Sequence, residues 1–131
     1  MCFSATASFG ASIVLTGIGV ASLKQVKEPA QYPFASIPLI FGVQQFFEGV
    51  VWIASTNSQW SGYQYPAAYG FLVIAQMVWP LLFPLAFQRI EKDVSRRKLI
   101  RLLQIPGIMI AAYFLYCLMS FSMEVKIISH H

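Results

Sequence analysis

The spacing of charge along this chain is its strongest constraint. No charged residue occurs between Met1 and Lys24. Between Glu28 and Arg89 the only charge is Glu48, and none occurs between Arg101 and Glu124. Crossing a hydrocarbon core of about 30 Å takes roughly 20 apolar helical residues. The first gap accommodates one such span, over about 4–23. The second accommodates two, over 33–55 and 67–87, and the third one, over 102–121. Backbone groups in lipid must be satisfied within their own segment, which selects helices. A β-barrel would require alternation, and the continuous apolar run over 105–118 has none. The expected fold is all-α: an integral membrane bundle of about four transmembrane helices, forming one domain over 1–131.

Composition agrees with that reading. Charged residues make up 11% of the chain and hydrophobic ones 57%, against about 25% charge in an ordinary soluble domain. So much apolar content excludes disorder. The net charge of +4 is concentrated in linkers, which points to membrane orientation and not to nucleic acid. The expected partners are therefore the lipid bilayer and no nucleic acid.

The linkers set the orientation. Lys24, Lys27, Arg89, Lys92, Arg96, Arg97, Lys98 and Arg101 all fall in the first and third, while the second, TNSQWSGYQYP, has no charge. The positive-inside rule places residues 24–32 and the basic loop 88–101 in the cytoplasm and both termini outside. The expected localisation is the cell membrane, multi-pass. Trp60, Tyr63 and Tyr65 in the second linker suit an interfacial aromatic belt. The first span lacks a basic n-region, so it is expected to be retained and not cleaved as a signal peptide.

Polar residues within the spans are the functional candidates. Glu48 lies about 10 Å inside the second span, and ionisable groups at that depth usually face a bundle interior or an aqueous cavity. Gln44 and Gln45 lie one helical turn before it, and Phe41, Gln45, Glu48 and Trp52 form one stripe. The functional reading is a proton- or cation-binding or catalytic carboxylate; the plainer one is a hydrogen-bonded Glu that fixes packing. Gln76 in the third span and Tyr113 and Tyr116 in the fourth are candidate wall residues of the same site. Together with Cys117, Ser120 and the terminal residues, they are expected to converge on one level toward the outside.

Ser4, Ser8, Ser12 and Thr16 recur every fourth residue of the first span. They read as a hydroxyl-bearing packing ridge, joined by the small-residue pairs Ala7/Ala11 and Gly17/Ala21. Trp79-Pro80 and Pro84 are expected to bend the third span. Cys2, Glu48, His130 and His131 are weak metal-ligand candidates without a recognised zinc spacing, so no metal is assigned. A Cys2–Cys117 disulfide on the outer side is conceivable, but two cysteines do not establish it. No phosphate loop or nucleophile elbow is present. No cofactor is expected, and the sequence leans away from an enzyme.

MCFSATASF at the N-terminus, PLIFGVQQFFEG followed by Trp52, and the later Trp79-Pro80 resemble DUF6629, a family of bacterial multi-spanning membrane proteins of unknown function. The resemblance extends over most of the chain. It implies a helical membrane protein in which Cys2, Ser4, Gln44, Gln45, Glu48 and Trp52 belong to the shared pattern, and it implies no activity. It also implies longer members with further spans, so a chain stopping at SHH is expected to be a short member or a truncated reading frame. Three functions follow as expectations. The first is a small transporter or channel subunit working through Glu48, as a parallel homo-oligomer. The second is a membrane-embedded enzyme acting on lipid, with Glu48 as base and Cys2 as nucleophile. The third is a non-catalytic scaffold or accessory protein.

Overall fold

A computed structural model of the chain describes residues 4–120. Among them every regular element is helical and none is a strand. Four helical segments are long and apolar enough to cross a membrane: Ala5–Lys24, Pro29–Thr56, Ser58–Ile90 and Val94–Ser120. Among the described residues the chain is therefore all-α, with four helices able to cross a membrane, as its charge gaps predict.

The first segment is α1 (Ala5–Lys24). Ser4 caps it, with its Oγ accepting from the Ala7 N–H at 3.3 Å. The second opens with a 3-10 turn at Pro29–Gln31 and the short α2 (Tyr32–Ala35). It then runs on as α3 (Ile37–Thr56), with Pro38 in its first turn. Proline suits that place because its missing N–H has no intrahelical partner there anyway.

The uncharged second linker is itself helical. A 3-10 stretch at Ser58–Tyr63 leads into α4 (Gln64–Val73), a π-turn at Ile74–Val78, and α5 (Trp79–Ile90). In the π-turn the Trp79 N–H donates to the Ile74 carbonyl, five residues back. Pro80 supplies no N–H to the carbonyls of the preceding turn, and a proline with a π-bulge is a usual physical cause of a local helix distortion. The third span, where the prolines were expected to act, thus carries a π-turn directly before Trp79-Pro80.

The basic linker differs from expectation. Only Glu91, Lys92 and Asp93 separate α5 from α6 (Val94–Ser120). Arg96, Arg97, Lys98 and Arg101, expected in a loop, stand on the first turns of α6. Asp93 is the reason: its Oδ1 accepts from the Ser95 and Arg96 N–H groups at 2.8 and 2.9 Å. That caps a sequence of good helix formers.

Close antiparallel packing of α1 on α3 builds the core. The contact face of α1 is Ser8, Ser12 and Gly19. A Cβ on Gly19 would fall 2.5 Å from the Leu39 backbone, and one on Gly42 would fall 2.6 Å from Thr16 Oγ1. Gly49 is covered by the Phe9 ring. Ser12 Oγ donates to the Gly42 carbonyl at 2.8 Å. The pairs Gly17/Ala21 and Ala7/Ala11 do not form this contact. Gly17, Ala21 and Ala7 are exposed, because the helical period turns them away from the face that carries Ser8, Ser12 and Gly19. At the other side of the bundle Gly107 of α6 lies against the Pro80 carbonyl of α5. The two halves meet where α4 packs on α3 and where Phe34 meets Phe87 edge-on at 5.9 Å. That last pair puts the first and third linkers at the same end of the bundle.

Two glycine substitutions test this packing. Gly19→Ala is expected to lower the thermal midpoint of the detergent-solubilised protein, at about 1–3 kcal/mol for an overpacked contact. Gly17→Ala, with nothing within 4 Å of its added methyl, is expected to be neutral or to stabilise by up to about 1 kcal/mol. Equal midpoints for the two variants would contradict the α1–α3 register.

Candidate functional site: a buried polar cluster around Glu48

The polar residues of α3 separate into two groups with different surroundings. Gln44 and Glu48, one turn apart, are both buried, and Glu48 is only 5% exposed. The buried face of the helix continues through Val51 and Ala54. The stripe expected from sequence, Phe41, Gln45, Glu48 and Trp52, is thus displaced. Gln44 is the inward residue at its level, Gln45 is half-buried, and Phe41 is exposed on one side.

Gln44 is engaged in holding helices together. Its Oε1 accepts from the Trp79 Nε1–H at 2.6 Å, joining α3 to the start of α5. The indole lies between Phe41 and Phe83, with ring centroids at 4.2 and 5.0 Å. A buried tryptophan requires an acceptor for its single N–H, and Gln44 supplies it. Sequence alone identified both residues but not their pairing, which spans 35 positions.

Glu48 is in a different situation. Gln45 Nε2 donates to Glu48 Oε2 at 3.1 Å. Among the described residues no cation pairs with the carboxyl, and Gln45 is its one hydrogen-bond donor. Two other buried polar atoms have no partner among the described residues: Ser8 Oγ and Trp52 Nε1. Phe9 seated on Gly49 fixes the register. Ser8 therefore sits at the level of Glu48 and Gly49, and Trp52 follows Glu48 by one turn on the same helix. Ser8 is fully buried. Orphaned buried donors are uncommon in folded proteins, and here two belong to residues at, or one helical turn from, the level of Glu48.

The remaining expected members of the site lie elsewhere. Gln76, in the π-turn, is exposed. Tyr113 and Tyr116 are 69% and 63% exposed on α6. The face of α6 that packs inward is the one carrying Gly107 and Ala111, and Tyr113 and Tyr116 fall outside it. Tyr113 and Tyr116 are therefore not part of the buried cluster around Glu48. Within the hydroxyl ridge, Ser8 and Ser12 are buried and Thr16 is half-buried, while Ser4 serves as an exposed cap.

Of the metal candidates, only Glu48 is a described residue; Cys2, His130 and His131 lie outside the described residues. Among the described residues no three His, Cys, Asp or Glu side chains gather. Cys117 is half-buried in α6; its proposed partner Cys2 lies outside the described residues.

Over residues 1–131 the chain matches the model of a family described as a family of unknown function, DUF6629. The chain belongs to this family. No curated protein and no solved structure matches it. In this DUF6629 protein the segment GVQQFFEGVVW thus carries two functions of geometry at once: a helix-joining Gln44 and an enclosed Glu48.

The assignment of Gln44 is checked by a double-mutant cycle with Trp79. Gln44→Leu and Trp79→Phe are each expected to destabilise the folded protein. Their coupling is expected at about 0.6–1.7 kcal/mol, the range for polar contacts between membrane helices. Thermal unfolding in detergent reads it, and strict additivity would show that the bond contributes nothing.

Proposed function

We propose that this protein is a transport-type membrane subunit in which the Glu48 carboxyl takes up and releases a proton or small cation within the bundle. The supporting observation is the enclosure of that carboxyl. It is buried between helices with one amide donor and no paired cation among the described residues, and Ser8 and Trp52, near its level, each carry a polar atom without a partner there. A purely structural carboxyl in lipid would be expected to have its hydrogen-bonding capacity filled, since partial satisfaction is costly in a low-dielectric interior. Gln44 illustrates the structural alternative, and Glu48 does not share its arrangement. Ionisable residues at membrane depth commonly mark ion or proton pathways.

The test is proton movement in proteoliposomes. Vesicles holding the wild-type chain are expected to dissipate an imposed pH gradient faster than empty ones. Glu48→Gln, which keeps the shape of the side chain and removes its titration, is expected to return the rate to that of empty vesicles. A Glu48→Gln variant that conducts like the wild type would remove Glu48 from this role and favour the scaffold reading.

Orientation in the cell membrane is part of the same proposal. Eight cations lie toward the end of the bundle that carries the first and third linkers. The positive-inside rule assigns that end to the cytoplasm. The same asymmetry favours parallel over antiparallel association of copies. A single cysteine at position 95, on a background lacking Cys2 and Cys117, is expected to react with an impermeant maleimide only after the inner face is opened. One at position 62 is expected to react in intact cells. The opposite labelling pattern would invert the topology.

A further inference from the structure

A second feature of the bundle is unrelated to Glu48. A cavity of about 540 Å³ lies between α1, α3, the Ser58–Tyr63 turn and α4. Its volume falls within the range of roughly 300–1,000 Å³ typical of small-molecule sites. Phe9, Phe46, Phe47 and Val50 line it on α1 and α3, and Trp60 and Tyr63 line it at the end of the spans. Phe46, Trp60 and Tyr63 are each about half exposed, so the cavity opens to the surroundings of the protein.

Those surroundings define the occupant. The cavity lies beside spans that cross a membrane, and its mouth is the aromatic turn at the end of two of them. Trp and Tyr settle at the headgroup level of a bilayer. An acyl chain entering past Trp60 and Tyr63 would thread inward along the phenylalanines with its headgroup left at the interface. The charge at the mouth narrows the class further. No residue from 49 to 88 is charged, so nothing on this turn would pair with an anionic headgroup, and eight of the cations lie at the opposite end of the bundle. We propose that this cavity binds one acyl chain of a membrane lipid whose headgroup carries no net charge.

The experiment is native mass spectrometry of the full chain released from detergent, after titration with phosphatidylcholine or phosphatidylglycerol of identical chains. The expected result is one retained phosphatidylcholine per chain, with phosphatidylglycerol retained no better. Val50→Phe and Val50→Trp should fill the cavity in two steps and reduce retention progressively, by about tenfold for the larger residue. Circular dichroism verifies that each variant is folded. The proposal is overturned by no adduct at lipid excess, by stronger retention of phosphatidylglycerol, or by dimers of the chain in place of lipid adducts. An unchanged adduct in a folded Val50→Trp variant would equally overturn it. Should neither variant fold, the headgroup comparison on the wild-type chain decides alone.

Discussion

The close approach of α1 to α3 is the constraint on which the rest of the bundle depends. Between membrane helices there is no hydrophobic gain from leaving water, since lipid is as apolar as leucine. Association has to come from van der Waals contact at short range and from hydrogen bonds between helices. Gly19, Gly42 and Gly49 make the short range available, and the Ser12 bond to the Gly42 carbonyl adds a polar contact at the point of nearest approach. With the backbones this close, water and lipid are excluded from the strip between them. Glu48 and Ser8 are buried because of where they sit on that strip.

A second level of organisation joins this pair to the other half of the chain. The Gln44–Trp79 bond places a polar link at the first turn of α5, directly after the π-turn that Pro80 follows. The π-turn and the tryptophan are thus parts of one arrangement: the distorted backbone and the indole that reaches α3 are adjacent in the chain. On the far side, Gly107 repeats against the Pro80 carbonyl what Gly19 does against Leu39. The bundle consists of two glycine-mediated helix pairs joined by a tryptophan–amide bond, aromatic contacts and the packing of α4 on α3.

Much of this architecture was legible in the sequence because charge is costly in lipid. The gaps between charges marked four spans, and the helices occupy those gaps. Linker structure was less legible. The residues 88–101 are basic and looked like a loop, yet Asp93 caps a helix that absorbs most of them; at a membrane surface a charged sequence and a helical one are compatible. Small-residue spacing was ambiguous for a related reason. Gly17/Ala21 and the line from Ser8 through Ser12 to Gly19 satisfy similar spacing rules on different faces of one helix, and only the partner helix selects between them. Tyr113 and Tyr116 were expected in the wall of the Glu48 site because their positions in the fourth span put them at its level. At 69% and 63% exposure they lie outside the Gly107–Ala111 face instead, where a tyrosine near a helix end can reach toward the interface.

The two glutamines show what a motif can and cannot state. Gln44 and Gln45 are the same residue at adjacent positions, and the sequence stripe that placed Gln45 inward with Glu48 chose the half-buried one of the two. The helical period turns one toward Trp79 and leaves the other beside Glu48, and chemistry follows from that rotation. An amide bonded to an indole N–H has its acceptor occupied and acts as a joint. An amide donating to a carboxyl leaves that carboxyl with unused acceptor capacity, while Ser8 Oγ and Trp52 Nε1 have no partner among the described residues. A structural role accounts for the first glutamine completely. It does not account for the second group, where the four polar side chains of Gln45, Glu48, Ser8 and Trp52 share one hydrogen bond among the described residues. Such an arrangement costs stability in every copy of the protein, and retaining it is intelligible when the carboxyl exchanges a proton or cation and needs its neighbours free to respond.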